Sequence, residues 1–167
     1  MNHPTSAVPA DHLDVHIRPM AIDDLSAIVA LDARVNGQPR ANYFERRLAS
    51  AVWDRDGSDA VFLVAQSTDE VAGFIMGALT YGEFGLPQTT ALIDSIAIEP
   101  AFARRGLGNR LVTEFVAASR VGGATAIYTL VNWDAWELLT FFHSLGFALA
   151  PTIPLELRLD GNPDHGH

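Results

Sequence analysis

Residues 91–131 read ALIDSIAIEP AFARRGLGNR LVTEFVAASR VGGATAIYTL V, and this stretch decides the fold. Ala91–Glu99 is an apolar run of β type, and Leu107, Leu111 and Phe115 repeat at helical spacing through Gly106–Arg120. A second β-type run, Thr125–Val131, follows. Strand, glycine-rich turn, helix and strand in that order predict a βαβ crossover. Gly106 and Gly108 permit tight backbone geometry where the strand hands over to the helix. The first N–H groups of a helix have no carbonyl partner of their own, and with the helix dipole they make an anion site. Arg104 and Arg105 add charge at its mouth. A pyrophosphate cradle and a plain glycine-rich turn with two exposed arginines both fit these residues.

Two common phosphate motifs fail here. A dinucleotide fingerprint would put a third glycine where Leu111 stands and an acidic residue at the end of Thr125–Val131. A nucleoside-triphosphate loop would need Gly-Lys followed by Ser or Thr, which is missing.

Working outward, Val15 and Ile17 alternate with polar neighbours in a short strand ended by Pro19. Leu25, Ile28, Val29 and Asp32 follow at helical spacing behind Asp23 and Asp24, and a second helix starts near Pro39. Val61–Gln66 and Val71–Tyr81 are β-type runs joined by Ser67–Glu70 as a hairpin, and the loop Gly82–Thr90 leads into Ala91–Glu99. Downstream, Ala135–Leu145 predicts a helix with Gly146 as its C-cap and with Asp134 and Glu137 as a capping box. Leu155, Leu157 and Leu159 alternate with polar residues in a last strand. The predicted fold is α/β (α+β): a mixed, mostly antiparallel sheet of six to seven strands, helices on both faces, and one βαβ crossover. A single domain covers about 14–159, between a flexible arm over 1–13 and a flexible tail over 160–167.

Composition sets the class. With 167 residues, 49% hydrophobic and 19% charged, the chain is long and apolar enough to bury a core. It has no cysteine, which excludes disulfides and thiolate chemistry and suits a reducing compartment. The first residues lack a basic segment followed by an apolar core, and no apolar run is long enough to span a bilayer, so a cytoplasmic location without membrane attachment is expected. A net charge of −9 argues against nucleic acid as a partner and mildly favours a cationic substrate. The six histidines show no ligand spacing, so no metal site is expected. Trp53, Trp133 and Trp136 read as core or groove wall, and Arg46 and Arg47 as a solvated helix face.

Taken in order and spacing, these segments resemble the GNAT (Gcn5-related N-acetyltransferase) superfamily. Ile17-Arg18-Pro19 with Asp23-Asp24 resembles its first strand and helix, and Ile96-Ala97-Ile98-Glu99-Pro100 the end of its fourth strand. Arg104–Leu111 resembles its coenzyme A loop, and Gly146-Phe147 its last motif. The resemblance implies acetyl-CoA as co-substrate and no metal. It places the pantetheine arm against the backbone of Ile96, Ala97 and Ile98, and the pyrophosphate on the N–H groups of Arg104, Arg105, Gly106, Leu107, Gly108 and Asn109. Asn132 stands where the family often has an asparagine touching the coenzyme. Two positions depart from the pattern. Ala103 replaces a Gln or Arg at the mouth of the loop, so backbone donors carry the grip. Phe142 replaces a Tyr that protonates the leaving thiolate, which leaves water, Ser144, Thr140 or Tyr128 as proton sources.

The implied reaction is attack of an amine on a thioester, transferring an acetyl group to a small-molecule or protein amine. A lysine-like amine must first lose a proton, at about 4.6 kcal/mol for pH 7, so a base is expected. Simple alternation puts residues 92, 94, 96 and 98 on one face, with Asp94 as the ionisable group among them and the first candidate base. Glu83, between Gly82 and Gly85, is the second candidate or a site for the substrate ammonium. Glu99 ranks third, because the same alternation turns it to the opposite face. A main-chain N–H near Ile98 would meet the oxyanion. A non-catalytic acyl-CoA binding or sensing module is the rival reading, and a homodimer is compatible with either.

Overall fold

The computed structural model describes residues 14–53, 59–68, 70–82, 87–157 and 159. The chain divides into two compact units, Met1–Leu130 and Val131–His167. The expected arm and tail at 1–13 and 160–167 lie outside the described residues, as does Glu83.

In the first unit, alternating apolar residues build β1 (His16–Pro19), β2 (Ala60–Ser67), β3 (Glu70–Tyr81), β4 (Thr89–Ile98) and β5 (Ile127–Thr129). They pair in the order β1-β2-β3-β4-β5. The first three pairings are antiparallel, and β4–β5 is parallel. Helices α1 (Leu25–Asn36) and α2 (Ala41–Trp53) precede β2, and α3 (Leu107–Val121) makes the crossover between the parallel strands.

The sheet is covered on both faces. Ile28 and Leu31 of α1 and Phe44 and Leu48 of α2 pack with Phe62, Val64, Phe74, Met76 and Ala97 in one buried cluster. Phe44 meets Phe74 edge-on at 5.6 Å between ring centres. On the opposite face α3 buries Leu111 and Phe115. Gly77 lets it seat closely: a Cβ there would stand 2.2 Å from the Leu92 carbonyl oxygen and 2.6 Å from the Phe115 ring.

One irregularity corrects the expected alternation. Met76 pairs with Ser95 but Gly77 pairs with Ile93, so Asp94 has no partner opposite it in β3. This is a β-bulge, with two residues of β4 set against one step of β3. It reverses which face odd and even positions occupy. Asp94 and Ser95 both reach guanidinium groups from the α2 region, whereas Ile98 lies with Leu111 of α3 around Gly73. Residues 92, 94, 96 and 98 therefore do not share a face. Glu99 is not turned away from Asp94 either, since it accepts a hydrogen bond from Arg34 of α1 at 2.5 Å.

In the second unit, α4 (Trp136–Ser144) ends in a cap closed by two backbone bonds. Gly146, at φ +90°, donates to His143 O at 3.0 Å, and Phe147 donates to Phe142 O at 3.1 Å. Phe142 and Phe147 pack at 5.0 Å, so all the parts of a Schellman motif are present. The expected capping box does not form: Ala135 is the N-cap, with no side-chain bond, because the turn before the helix is closed instead by the Ala135 N–H on Asn132 O. Trp133 and Trp136 are exposed rather than core, while the side chain of Trp53 lies outside the described residues.

The expected last strand is also absent among the described residues, which leaves five strands where six to seven were predicted. Leu155, Leu157 and Leu159 stand 94%, 84% and 90% exposed. Alternation marks a capacity to bury one face, and a strand also needs a neighbouring backbone to pair with.

Candidate functional site

On one side β4 is paired with β3 as far as Ile98, but on the other β5 accompanies it only over Ala91–Ile93. Among the described residues no strand pairs with that second edge beyond Ile93. The Glu99 N–H donates to Ala72 O of β3 at 2.9 Å, so alternation turns the N–H and C=O of Ala97 toward β3 as well. Ile96 and Ile98 then present theirs to the open edge. The bulge at Asp94 sits where β5 stops, so the bend in β4 and the gap beside it coincide.

From this edge the chain turns through Pro100–Phe102 into α3. Arg104 has φ +60° and Gly106 has φ +80°, two left-handed residues in the turn. Such alternation swings successive N–H groups into one concavity suited to an anion. Gly106 is the N-cap and no side chain caps the helix, while Arg110 N–H to Gly106 O, at 3.1 Å, opens the helical ladder. The N–H groups of Leu107, Gly108 and Asn109 belong to the first turn, which has no helix carbonyl to meet. An open groove beside it is lined by Arg105, Gly106, Asn109, Arg110, Thr113 and Glu114. Leu107 is buried and anchors the turn, and Arg110 donates to Val15 O at 2.8 Å, tying α3 to the chain just before β1. The backbone donors, the dipole and the arginines fit a pyrophosphate, and the open edge fits an extended amide-bearing arm.

Two acid–guanidinium pairs flank α2, one joining α1 to the residue just before α2 and the other joining α2 to β4. Asp32, fully buried on α1, receives Arg40 Nε at 2.9 Å and Nη2 at 2.6 Å, and Asn36 Nδ2 at 2.6 Å. Arg40 also reaches Ser95 Oγ at 3.4 Å, and its planar group lies over Tyr43 and Phe44. The hydrogen bonds from Arg40 to Asp32 raise the pKa of the guanidinium, although burial opposes this. The Asp32 side chain is fully buried while that of Arg40 keeps 39% of its exposure, so solvent screens this pair in part. Arg47 of α2 pairs with Asp94 in the second case, and these side chains keep 30% and 15% of their exposure. Pairs open to solvent are worth only about 0.2–1 kcal/mol.

A family model described as the acetyltransferase (GNAT) family matches residues 25–147. The chain belongs to the GNAT acetyltransferase family. A search of the curated proteins by sequence returns no match. Solved structures share the GNAT fold at low identity. The aminoglycoside N-acetyltransferase AAC(6')-Iy in complex with CoA aligns at TM-score 0.75 and 14% identity, over 92% of this chain and 99% of that one. A transcriptional regulator from Bacillus halodurans aligns at TM-score 0.72 and 20% identity, over 87% and 99%. Glucosamine-6-phosphate N-acetyltransferase from Arabidopsis thaliana aligns at 0.69 and 16%, over 87% and 99%.

Within this GNAT domain the first unit gathers most of the expected residues. Ile96, Ala97 and Ile98 lie along β4, and Arg104, Arg105, Gly106, Leu107, Gly108 and Asn109 form the turn and first helical residues after it. Asp94 is at the bulge. Asn132 and Phe142 lie in the second unit, where the Asn132 carbonyl holds a turn and Phe142 is a buried part of the helix cap. Among the suggested proton sources, Ser144 Oγ donates to Phe141 O at 2.7 Å. Tyr128 pairs with Leu92 across the parallel strands. Sequence reasoning missed Arg40 and Arg47: the latter reads as solvent-facing by helical periodicity, yet its partner lies 47 positions away. Periodicity carries no signal for such a contact.

Proposed function

We propose that this GNAT protein is an N-acetyltransferase that moves the acetyl group of acetyl-CoA to a primary amine, acting in the cytoplasm. The open edge of β4 at 94–98, leading straight into the uncapped N terminus of α3, carries this reading. The likeness to two proteins named as N-acetyltransferases, one holding CoA, supports it.

The thioester supplies an acyl group already activated for attack. Ile96 and Ile98 hold its arm by main-chain bonds, and Arg104–Asn109 hold the diphosphate. Asp94 takes one proton from the bound ammonium, and the freed amine nitrogen bonds to the acyl carbon as the carbon–sulfur bond breaks. The Ile98 N–H meets the oxyanion, a type of contact worth roughly 2.7–4 kcal/mol. Tyr128, which pairs with Leu92 across the parallel strands, gives its hydroxyl proton to the thiolate. The second nitrogen proton replaces the one that Tyr128 gives up. The balance is ammonium and thioester to amide, thiol and one proton released from Asp94. Glu83 is the second candidate base or ammonium site.

Phe142 favours a second reading, acyl-CoA binding without catalysis. Its ring is buried in the α4 cap, so that position offers no hydroxyl. Thermal unfolding with acetyl-CoA, followed by thiol release against an amine panel, tests both. Mass action requires about 2.7 kcal/mol of stabilisation at a hundred times the dissociation constant. Stabilisation with thiol release supports the enzyme, and stabilisation without release on any amine selects the binding module. No stabilisation removes both.

A further inference from the structure

Glu99 stands at the joint between the two halves of the proposed coenzyme site, the open edge of β4 that ends at Ile98 and the turn that begins at Arg104. Three bonds hold it. Its N–H donates to Ala72 O of β3 at 2.9 Å, its carbonyl accepts the Phe102 N–H at 2.8 Å, and its carboxylate accepts Arg34 Nη2 at 2.5 Å. The first bond belongs to the sheet and the second to the turn. The third comes from α1, whose last turn carries Arg34 where the helix dipole favours a cation. That helix is firmly seated, because Ile28 and Leu31 are fully buried and Gly37, at φ +76°, closes its end. Four residues back along β4, Ser95 Oγ meets Arg40 at 3.4 Å, and Arg40 is held by Asp32 of the same helix. Side chains of α1 therefore fasten β4 at both ends of Ile96–Ile98, directly at Glu99 and through Arg40 at Ser95.

The Arg34–Glu99 pair contributes little to the fold. Its side chains keep 52% and 23% of their exposure, and pairs so open to solvent add little stability. Its place at the joint gives it another use. We propose that Arg34 is a positioning residue for coenzyme A: by holding Glu99 it sets the angle between the edge of β4 and the turn, so that one extended ligand reaches both. A ligand that bridges two sites binds more tightly than its pieces only while the spacing of the sites matches its length. With the Glu99 carboxylate released, Pro100–Ala103 can swing against β4. Each half then keeps its own backbone donors, but the distance between them is no longer fixed. This role of Arg34 rests on the acetyltransferase reading, which makes the two stretches one site, and adds to that site a residue from a different helix.

The test is calorimetric binding of CoA and of ADP to the whole protein, with thermal unfolding followed in the absence of both. ADP carries the diphosphate without the pantetheine arm and so reads the turn alone. In Arg34→Met, which keeps the length of the side chain and removes its donors, the CoA dissociation constant is expected to rise about threefold to fivefold. That is the most a pair of this exposure can pass on, and ADP should bind as it does to the parent. The melting temperature without ligand should move by no more than about 3 °C. Arg34→Lys keeps the charge and should recover part of the CoA affinity. Glu99→Ala should lose as much as Arg34→Met, and the double variant no more than either, because all three break one contact. Equal losses of CoA and ADP affinity in Arg34→Met, or tighter CoA binding in Glu99→Ala, would overturn the proposal by making the pair a mere charge beside the phosphates. Additive losses in the double variant, or unchanged CoA binding in both single variants, would overturn it as well. Should ADP bind too weakly to measure, the single and double variants read with CoA still decide it. A parent that binds no CoA removes the acetyltransferase reading, whereas a parent that binds CoA beside unaffected variants removes only the role of Arg34.

Discussion

Arg18 donates two hydrogen bonds of 2.7 Å to the Asp24 carboxylate across the turn from β1 to α1, and Asp24 also accepts the Ala21 N–H at 2.7 Å. These bonds, that from Arg18 above all, hold the Asp24 pKa below the ordinary carboxylate value, although burial pushes it upward. A depressed folded-state pKa means that the stabilisation is complete above the unfolded value, near about 3.9, and is lost as pH falls through the folded value. Urea unfolding followed downward from neutral pH should show that loss in the parent. Asp24→Asn should be less stable at neutral pH by about 1–3 kcal/mol and should lack this component of the acid slope. An unchanged slope would mean that Asp24 is not the group responsible. Ile17-Arg18-Pro19 and Asp23-Asp24 are legible as a pattern in the sequence, but only the structure says that Asp24 is the partner. Arg47 with Asp94 and Arg40 with Asp32 are less legible still, because an ion pair between distant positions leaves no period to detect.

At the scale of elements, α3 is the clearest case of agreement. Its apolar positions Leu107, Leu111 and Phe115 are all buried, as their spacing predicts, and its start at Leu107 falls one residue from expectation. Gly106 matters for its φ of +80° rather than for space, since nothing lies within 4 Å of a Cβ built there. Gly106→Ala is expected to destabilise the protein by about 1–2 kcal/mol, the strain of a left-handed alanine. It should also shrink the thermal shift given by acetyl-CoA, because relaxing that strain re-aims the first N–H groups of α3. A variant with lower stability and an undiminished shift would show that the turn does not hold the ligand. The β4 bulge was not legible: LIDSIAI alternates plausibly in either parity, and only its pairing with β3 shows where the count slips. The last strand failed for the opposite reason, a clean alternation with no partner backbone.

Across the first unit, two layers of helix and one sheet follow from the hydrophobic pattern, and the site follows from where that pattern is interrupted. The interruption is one residue long. Ile93 faces α3 and Ser95 the opposite layer, as neighbours in an unbulged strand would, so the sheet's layering can do without Asp94 altogether. Deleting Asp94 should let β4 run straight against β3 with every other side chain in its present layer, and stability should change by no more than about 1 kcal/mol, the scale of the lost ion pair. Acetyl-CoA stabilisation and acceptor turnover should fall together, since the bend and the carboxylate leave in one step. For this molecule residue 94 is a supernumerary: the fold closes without it, and its presence marks a place where regularity was given up for access.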